Sequence, residues 1–379
     1  MDSQIIEVIN VTREVAWLPW AVSYFFLIGL SYGSFLLTLP YFVFGRAQHA
    51  KLARLALLGA LACGLTAPVS LLADLHGPGR FLNFYLHFQP QSWMAWGALF
   101  IPLYLLGLLL YAWMVLRADF DARGQVGTSL LTRFFRLAGR GGPAPRMAIL
   151  AAALLTLVGA VLVALYTGME VMVVQARPLW NTPFLPLQFT ATALAGAIGL
   201  SLVLNRFVGG HDKQLDMTLN RLLVLALAVV LTLGGGWLFV SMSGLSASHS
   251  AAFNQVAGMS QWQLTAVWAL LATIVPMALA IWRPGTSGLM TGLIAVHSAW
   301  MMRWTIFIGG QSIPKAGAGA YDYHLPLGGD GLLGIVGTFG LWIALLLLMI
   351  DYLPWAGQAF AIRNKKENNA IDASAFVRH

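Results

Sequence analysis

Long apolar runs alternate with short polar ones from one end of this chain to the other. Apolar runs lie at roughly 17–44, 52–73, 92–116, 147–174, 182–205, 219–243, 261–282, 287–309 and 330–353. About 20 such residues cross the ~30 Å hydrocarbon core as an α-helix, which satisfies its own backbone polar groups. The pattern therefore predicts an all-α integral membrane protein of about nine transmembrane helices. Pro40, Pro68, Pro102 and Pro276 fall inside runs, where neighbouring helices re-satisfy the backbone they free. Small residues at four-residue spacing, Gly29 with Gly33 and Ala195 with Gly199, predict close helix crossings. GLSYGSFLL (29–37) and LAGAIGLSLVL (194–204) are alike, a hint of a duplicated four-helix unit. Three parts are expected: a first bundle over 1–174, a second over 175–309, and a loop, ninth helix and tail over 310–379.

Composition agrees with the pattern. The 379 residues are 59% hydrophobic and 9% charged, whereas soluble domains carry about 25% charged residues. Met1 to Ala16 is polar and leads into no short apolar core, so no cleavable signal is expected. Cys63 is the only cysteine, and one thiol holds neither an iron–sulfur cluster nor a structural zinc. The net charge of +8 invites a nucleic-acid reading, but the distribution argues against it. Alternate connections gather 17 Lys and Arg on one side against 4 on the other. By the positive-inside rule the basic side is cytoplasmic, the N-terminus periplasmic and the C-terminus cytoplasmic. This bias is topological, and no nucleic-acid partner is expected. The Gly-rich stretch 309–329 is the boundary on which the orientation of the tail depends.

The periplasmic loops are DLHGPGRFLNFYLHFQPQSW (74–93), QARPLWNTP (175–183), SGLSASHSAAFNQ (243–255) and GGQSIPKAGAGAYDYHLPLGGD (309–330). Their turn chemistry predicts docking or binding, while the cytoplasmic loops read as plain solvated connectors. An ionisable group inside a span is costly. Glu170 is the one acidic residue read well inside a run; Asp74, Asp330 and Asp351 mark ends, and Arg303 is the basic counterpart. Tyr166 and Glu170, four apart, share a helical face toward the periplasmic leaflet. Trp300, Arg303 and Trp304 lie at similar depth, as do Asp74, His76 and Arg80, and Trp17, Trp20 and Tyr24. The ordinary use of Trp17 and Trp20 is as interfacial anchors. Arg303 either pairs with Asp74 or Glu170 or touches a ligand, and His297 reads as a packing residue. With His297 the only histidine clearly inside a span, paired histidine ligation of haem is not expected.

Together FLIGLSYGSFLL (26–37), DLHGPGRF (74–81), HFQPQSWMAWGA (87–98), YTG with RPLWNTPFLPL (166–187) and RWTIFIGGQ (303–311) resemble the NrfD/PsrC family. These are membrane-embedded quinol-binding subunits of bacterial respiratory oxidoreductases. The resemblance covers most of the chain, and its ninth helix is similar to the longer tetrathionate-reductase type. It implies a four-helix quinone-binding unit in the inner membrane, with menaquinone or another quinone as the cofactor. It also implies an iron–sulfur partner on the outside face, passing electrons to a molybdopterin or multihaem catalytic subunit. Tyr166 of the YTG motif matches the quinone-associated tyrosine, and Asp74 and Arg80 match the polar loop after the second helix. Where the polysulfide reductase version has a histidine on helix one, this chain has Tyr24. Arg177 to Pro183 would form the outside turn that closes the pocket and touches the partner.

The expected function is quinol oxidation near the outer leaflet, as one subunit of a larger sulfur-compound reductase. Protons would leave through Tyr166, Glu170, Asp74 or His76, with Tyr24, Arg80, Arg303 and Trp300 around the quinone. A proton-translocating scaffold is the alternative, although Asp351 is the only carboxylate read in the cytoplasmic half. A secondary transporter would need its polar groups nearer the midplane.

Overall fold

The computed structural model of the protein describes residues 15–75, 77–125, 128–313 and 323–357. Among them helix is the only regular structure. The long helices are α1 (Pro19–Phe42), α2 (Ala50–Asp74), α3 (Trp93–Gly124), α4 (Arg146–Met172), α5 (Phe184–Phe207), α6 (Lys213–Met242), α7 (Ser260–Trp282), α8 (Gly288–Trp304) and α9 (Leu332–Tyr352). Eight of these are long and apolar enough to cross a membrane. α8 falls short alone, but it continues through a π-helical turn, Thr305–Gly309, into Gly310–Ser312. The chain is a multi-pass membrane protein with the nine-helix pattern its hydropathy predicts.

α1, α2 and α5 are buried over most of their length, whereas α6, α7 and α9 show most of their surface outward. Exposed leucines, valines and isoleucines cover the outer helices, which suits a lipid surround. α1 packs chiefly on α2 and α5, α3 on α4, and α5 on α8 and α6. Association in lipid relies on close packing of small residues. A methyl group added at Gly33 would stand 2.8 Å from Ala197 Cβ and 3.0 Å from the Ala193 carbonyl oxygen. The α1–α5 crossing therefore needs the small residues that the spacing singled out.

One end of the bundle carries the connections 77–92, 173–183 and 243–259; the other carries most of the arginines. α9 runs antiparallel to α8, with Gly334 against the Trp20 ring at the loop-rich end and the Trp355 carbonyl bonded to Arg54 at the basic end. The basic end is tied by Arg54–Asp119 at 2.8 Å, Lys51–Asp212 at 3.5 Å and Asn205 Nδ2 to Asp216 Oδ1 at 2.7 Å. Asp119 and Asp216 correct the expectation that Asp351 is the only carboxylate in that half, since both are buried within α3 and α6. The apolar runs stop short of them because each charge lowers the local hydropathy, whereas the helix continues to where a polar partner meets the carboxylate, Arg54 for Asp119 and Asn205 for Asp216.

Candidate functional site

Between α1, α2, α3 and α4, at the loop-rich end, lies a cavity of about 610 Å³. Its walls are mostly apolar, with Phe25 from α1, Leu71 from α2 and Ile101 from α3. Tyr166 and Glu170 enter from α4, and Asp74 from the end of α2. α2 and α3 touch each other sparsely. Two lining residues between them, Leu106 and Leu109, are 55% and 46% exposed on the outer surface of α3. The cavity therefore opens sideways toward the lipid-facing surface.

The polar groups inside are few and incompletely satisfied. Tyr24 is fully buried behind Tyr166, and the two tyrosines and Glu170 lie close enough to influence one another electrostatically. Glu170 Oε2, inside the cavity, has no hydrogen-bond partner among the described residues, and neither has the Tyr24 hydroxyl behind it. Native interiors pair nearly all such atoms, so orphans at a cavity mark a place where a ligand or water completes them. Asp74 Oδ1 accepts from the Leu18 amide at 3.0 Å and so holds the start of α1 beside the site.

Local chemistry explains how the site is built. The Tyr166 ring lies against the α3 backbone at Gly97, where an added methyl would sit 2.3 Å from a ring carbon. Pro102 has no N–H to give the Ala98 carbonyl four residues earlier. That carbonyl instead accepts the Tyr85 hydroxyl at 2.8 Å, which fixes the short helix Asn83–Leu86 against α3. Tyr85 and Phe84 of this helix line the cavity.

Trp17 forms another wall, stacked on Phe307 at 5.0 Å and on Phe25 at 5.7 Å. Gln311 grips the Trp17 peptide from both sides. It accepts from the Trp17 amide at 3.0 Å and donates to the Trp17 carbonyl at 2.9 Å. The Arg177–Pro183 turn contributes nothing to the lining among the described residues. It fastens the far end of α8 instead. Arg177 Nη1 donates to the Gly310 and Ile313 carbonyls, both at 2.9 Å, and Trp180 Nε1 donates to the Ile306 carbonyl at 2.8 Å. Burial lowers the pKa of Arg177 from its ordinary value.

The structure thus brings Tyr166, Glu170 and Asp74 to one cavity with Tyr24 directly behind. Arg80 lines a neighbouring surface basin that shares Leu75, Phe81 and Phe84 with the cavity. His76 lies outside the described residues. Trp300 packs edge-on against Phe26 at 5.4 Å and beside Phe339 at 5.1 Å, away from the cavity lining. Arg303 is buried elsewhere, donating to the Thr192 hydroxyl at 2.5 Å and the Phe189 and Ala299 carbonyls at 2.8 and 3.1 Å. His297 sits edge-on to Trp268 at 5.1 Å, a packing position. Trp17, which in sequence stands at this depth and reads as an interfacial anchor, is part of the cavity wall, whereas Tyr85, Gly97 and Gln311 were not singled out from sequence for this cavity. Gly97 and Gln311 stand inside recognised motifs, but nothing in those motifs names what they touch.

A family model described as "Polysulphide reductase, NrfD" matches residues 7–315. The chain belongs to the NrfD family. Among its relatives, the NrfD chain is 34% identical over 354 residues to a tetrathionate reductase subunit of Salmonella typhimurium, an alignment that takes in 92% of this chain and 95% of that one. It is 28% identical over 319 residues to a selenate reductase subunit of Mesobacillus selenatarsenatis, with 78% and 74% aligned. The match of the NrfD model extends from the segment before α1 to the end of the α8 rod, so it takes in every element that lines or braces the cavity.

Proposed function

We propose that this chain is the membrane subunit of a reductase complex and oxidises a quinol in the cavity beside Tyr166. The observation that carries the reading is an apolar cavity, open toward the outer surface, that ends in Tyr166 and Glu170, with Glu170 Oε2 unpartnered among the described residues. Its size lies within the ordinary range for small-molecule sites, about 300–1,000 Å³. The residues fit a quinol, with apolar walls for a polyprenyl tail and oxygen-bearing side chains for a head group. Bound quinol supplies two electrons and two protons. The Tyr166 hydroxyl orients a head-group oxygen, and Tyr24 steadies Tyr166 from behind. Glu170 takes a proton within the site, and Asp74 at the end of α2 leads it toward the loop-rich end. Electrons pass to an iron–sulfur partner docked at that end, which feeds a catalytic subunit reducing a sulfur compound. The relatives named as subunits of tetrathionate and selenate reductases support the place in a complex.

Removing only the phenol oxygen by Tyr166→Phe keeps the ring against Gly97 and loses a hydrogen bond of about 0.5–1.5 kcal/mol net. Quinol-dependent turnover of the purified complex is expected to fall several-fold. Turnover with an artificial donor that feeds the partner directly should be unchanged. Equal quinol turnover and quinone affinity in the variant would remove the site from this cavity.

A further inference from the structure

The connection between α3 and α4 reads in sequence as a solvated basic loop, yet it folds into a nine-residue helix, Leu130–Ala138. Ser129 caps it by accepting from the Thr132 amide at 3.1 Å. One face is locked to α3. Phe135 stacks on Phe120 at 5.7 Å, Trp113 Nε1 donates to the Ala138 carbonyl at 2.8 Å, and Arg136 Nε donates to the Gly124 carbonyl at 3.2 Å. Arg117 donates to the Arg140 carbonyl just beyond.

Another face carries Leu130, Phe134 and Leu137, which are 81%, 57% and 69% exposed. Their spacing of four and three residues puts them in one stripe along the helix. Two observations say what covers it. First, the helix is tied at Ala138 to Trp113 of α3, and both Trp113 and Met147 of α4 are exposed apolar residues at this end of the bundle. Second, the segment 117–146 holds six arginines and two aspartates, and one of those aspartates, Asp119, is already paired with Arg54. Arg133, one residue before Phe134 on the helix, is exposed, as are Arg140 and Arg146 in the stretch that leads into α4. An apolar face bordered by arginines at the end of membrane helices matches the chemistry of an acidic lipid surface.

We propose that this connecting helix binds anionic phospholipid, with Leu130, Phe134 and Leu137 among the acyl chains and Arg133, Arg140 and Arg146 on the phosphates. The site is independent of the quinol reading, being built from other residues at the opposite end of α3.

The test uses the full chain in its complex. Cys63 is fully buried, so Phe134→Cys, nitroxide-labelled before the partners are added back, provides this chain's reactive thiol. In vesicles containing phosphatidylglycerol, the label should relax with oxygen and stay shielded from an aqueous nickel chelate. Native mass spectrometry should show phosphatidylglycerol retained over phosphatidylcholine. That preference should fall several-fold in Arg133→Gln/Arg140→Gln with the complex still assembled. A label reached by the chelate overturns the proposal. So does one shielded from both agents, which would mean that protein covers the stripe. Acidic-lipid retention unchanged in the double variant overturns it too. If Phe134→Cys does not assemble, Leu137→Cys on the same stripe gives the same reading.

Discussion

At the scale of single residues, the cavity depends on one position with no room for a side chain. Gly97 gives the Tyr166 ring its place on α3. Gly97→Ala forces the ring or the helix to move, and overpacking of this kind costs about 1–3 kcal/mol. Quinol turnover is expected to fall at least as far as in Tyr166→Phe, while subunit assembly, followed by co-purification, persists. Normal turnover in Gly97→Ala would show that the ring's placement does not matter to the reaction. Tyr166 and Glu170 were legible in the sequence because ionisable and phenolic groups inside an apolar run are conspicuous, and a four-residue spacing fixes a shared face. Gly97 was not, because a glycine's meaning lies in what crosses it, and the crossing residue is 69 positions away. Arg303 was equally conspicuous, but its three acceptors are a hydroxyl and two carbonyls. A buried guanidinium can be held by backbone, and no spacing rule shows that.

At the scale of elements, the apolar runs placed nine helices well and their ends less well. α3 and α6 reach beyond their apolar runs to Asp119 and Asp216, so hydropathy alone stopped short of both. α8 overruns its apolar run as well: the run ends at 309 and the stretch beyond reads as loop, but after a π-helical turn inside the run the helix continues through Gly310–Ser312. Such turns disturb the regular hydrogen-bond ladder and need outside partners. Trp180 supplies one through its indole N–H to the Ile306 carbonyl. Trp180→Phe leaves that carbonyl with the Gly310 amide alone, a loss of about 0.5–1.5 kcal/mol net. The thermal unfolding midpoint of the detergent-solubilised protein should fall. An unchanged midpoint would mean that the turn needs no such support.

At the scale of the whole molecule, the asymmetry of charge sets a test of orientation. A reporter fused to the C-terminus is expected to stay cytoplasmic, and one inserted at Gly258 in the connection between α6 and α7 to be exported. Both reporters on one side would refute the assigned topology. The double hydrogen bond between Gln311 and the Trp17 peptide has a consequence of another kind, because it spans 294 positions of chain. A ribosome makes Trp17 near the start and Gln311 only after seven further helices have followed α1 into the bilayer. The wall that Trp17 forms is therefore among the last parts of the bundle to be pinned during synthesis, and a nascent chain carrying only α1 to α4 lacks that clasp.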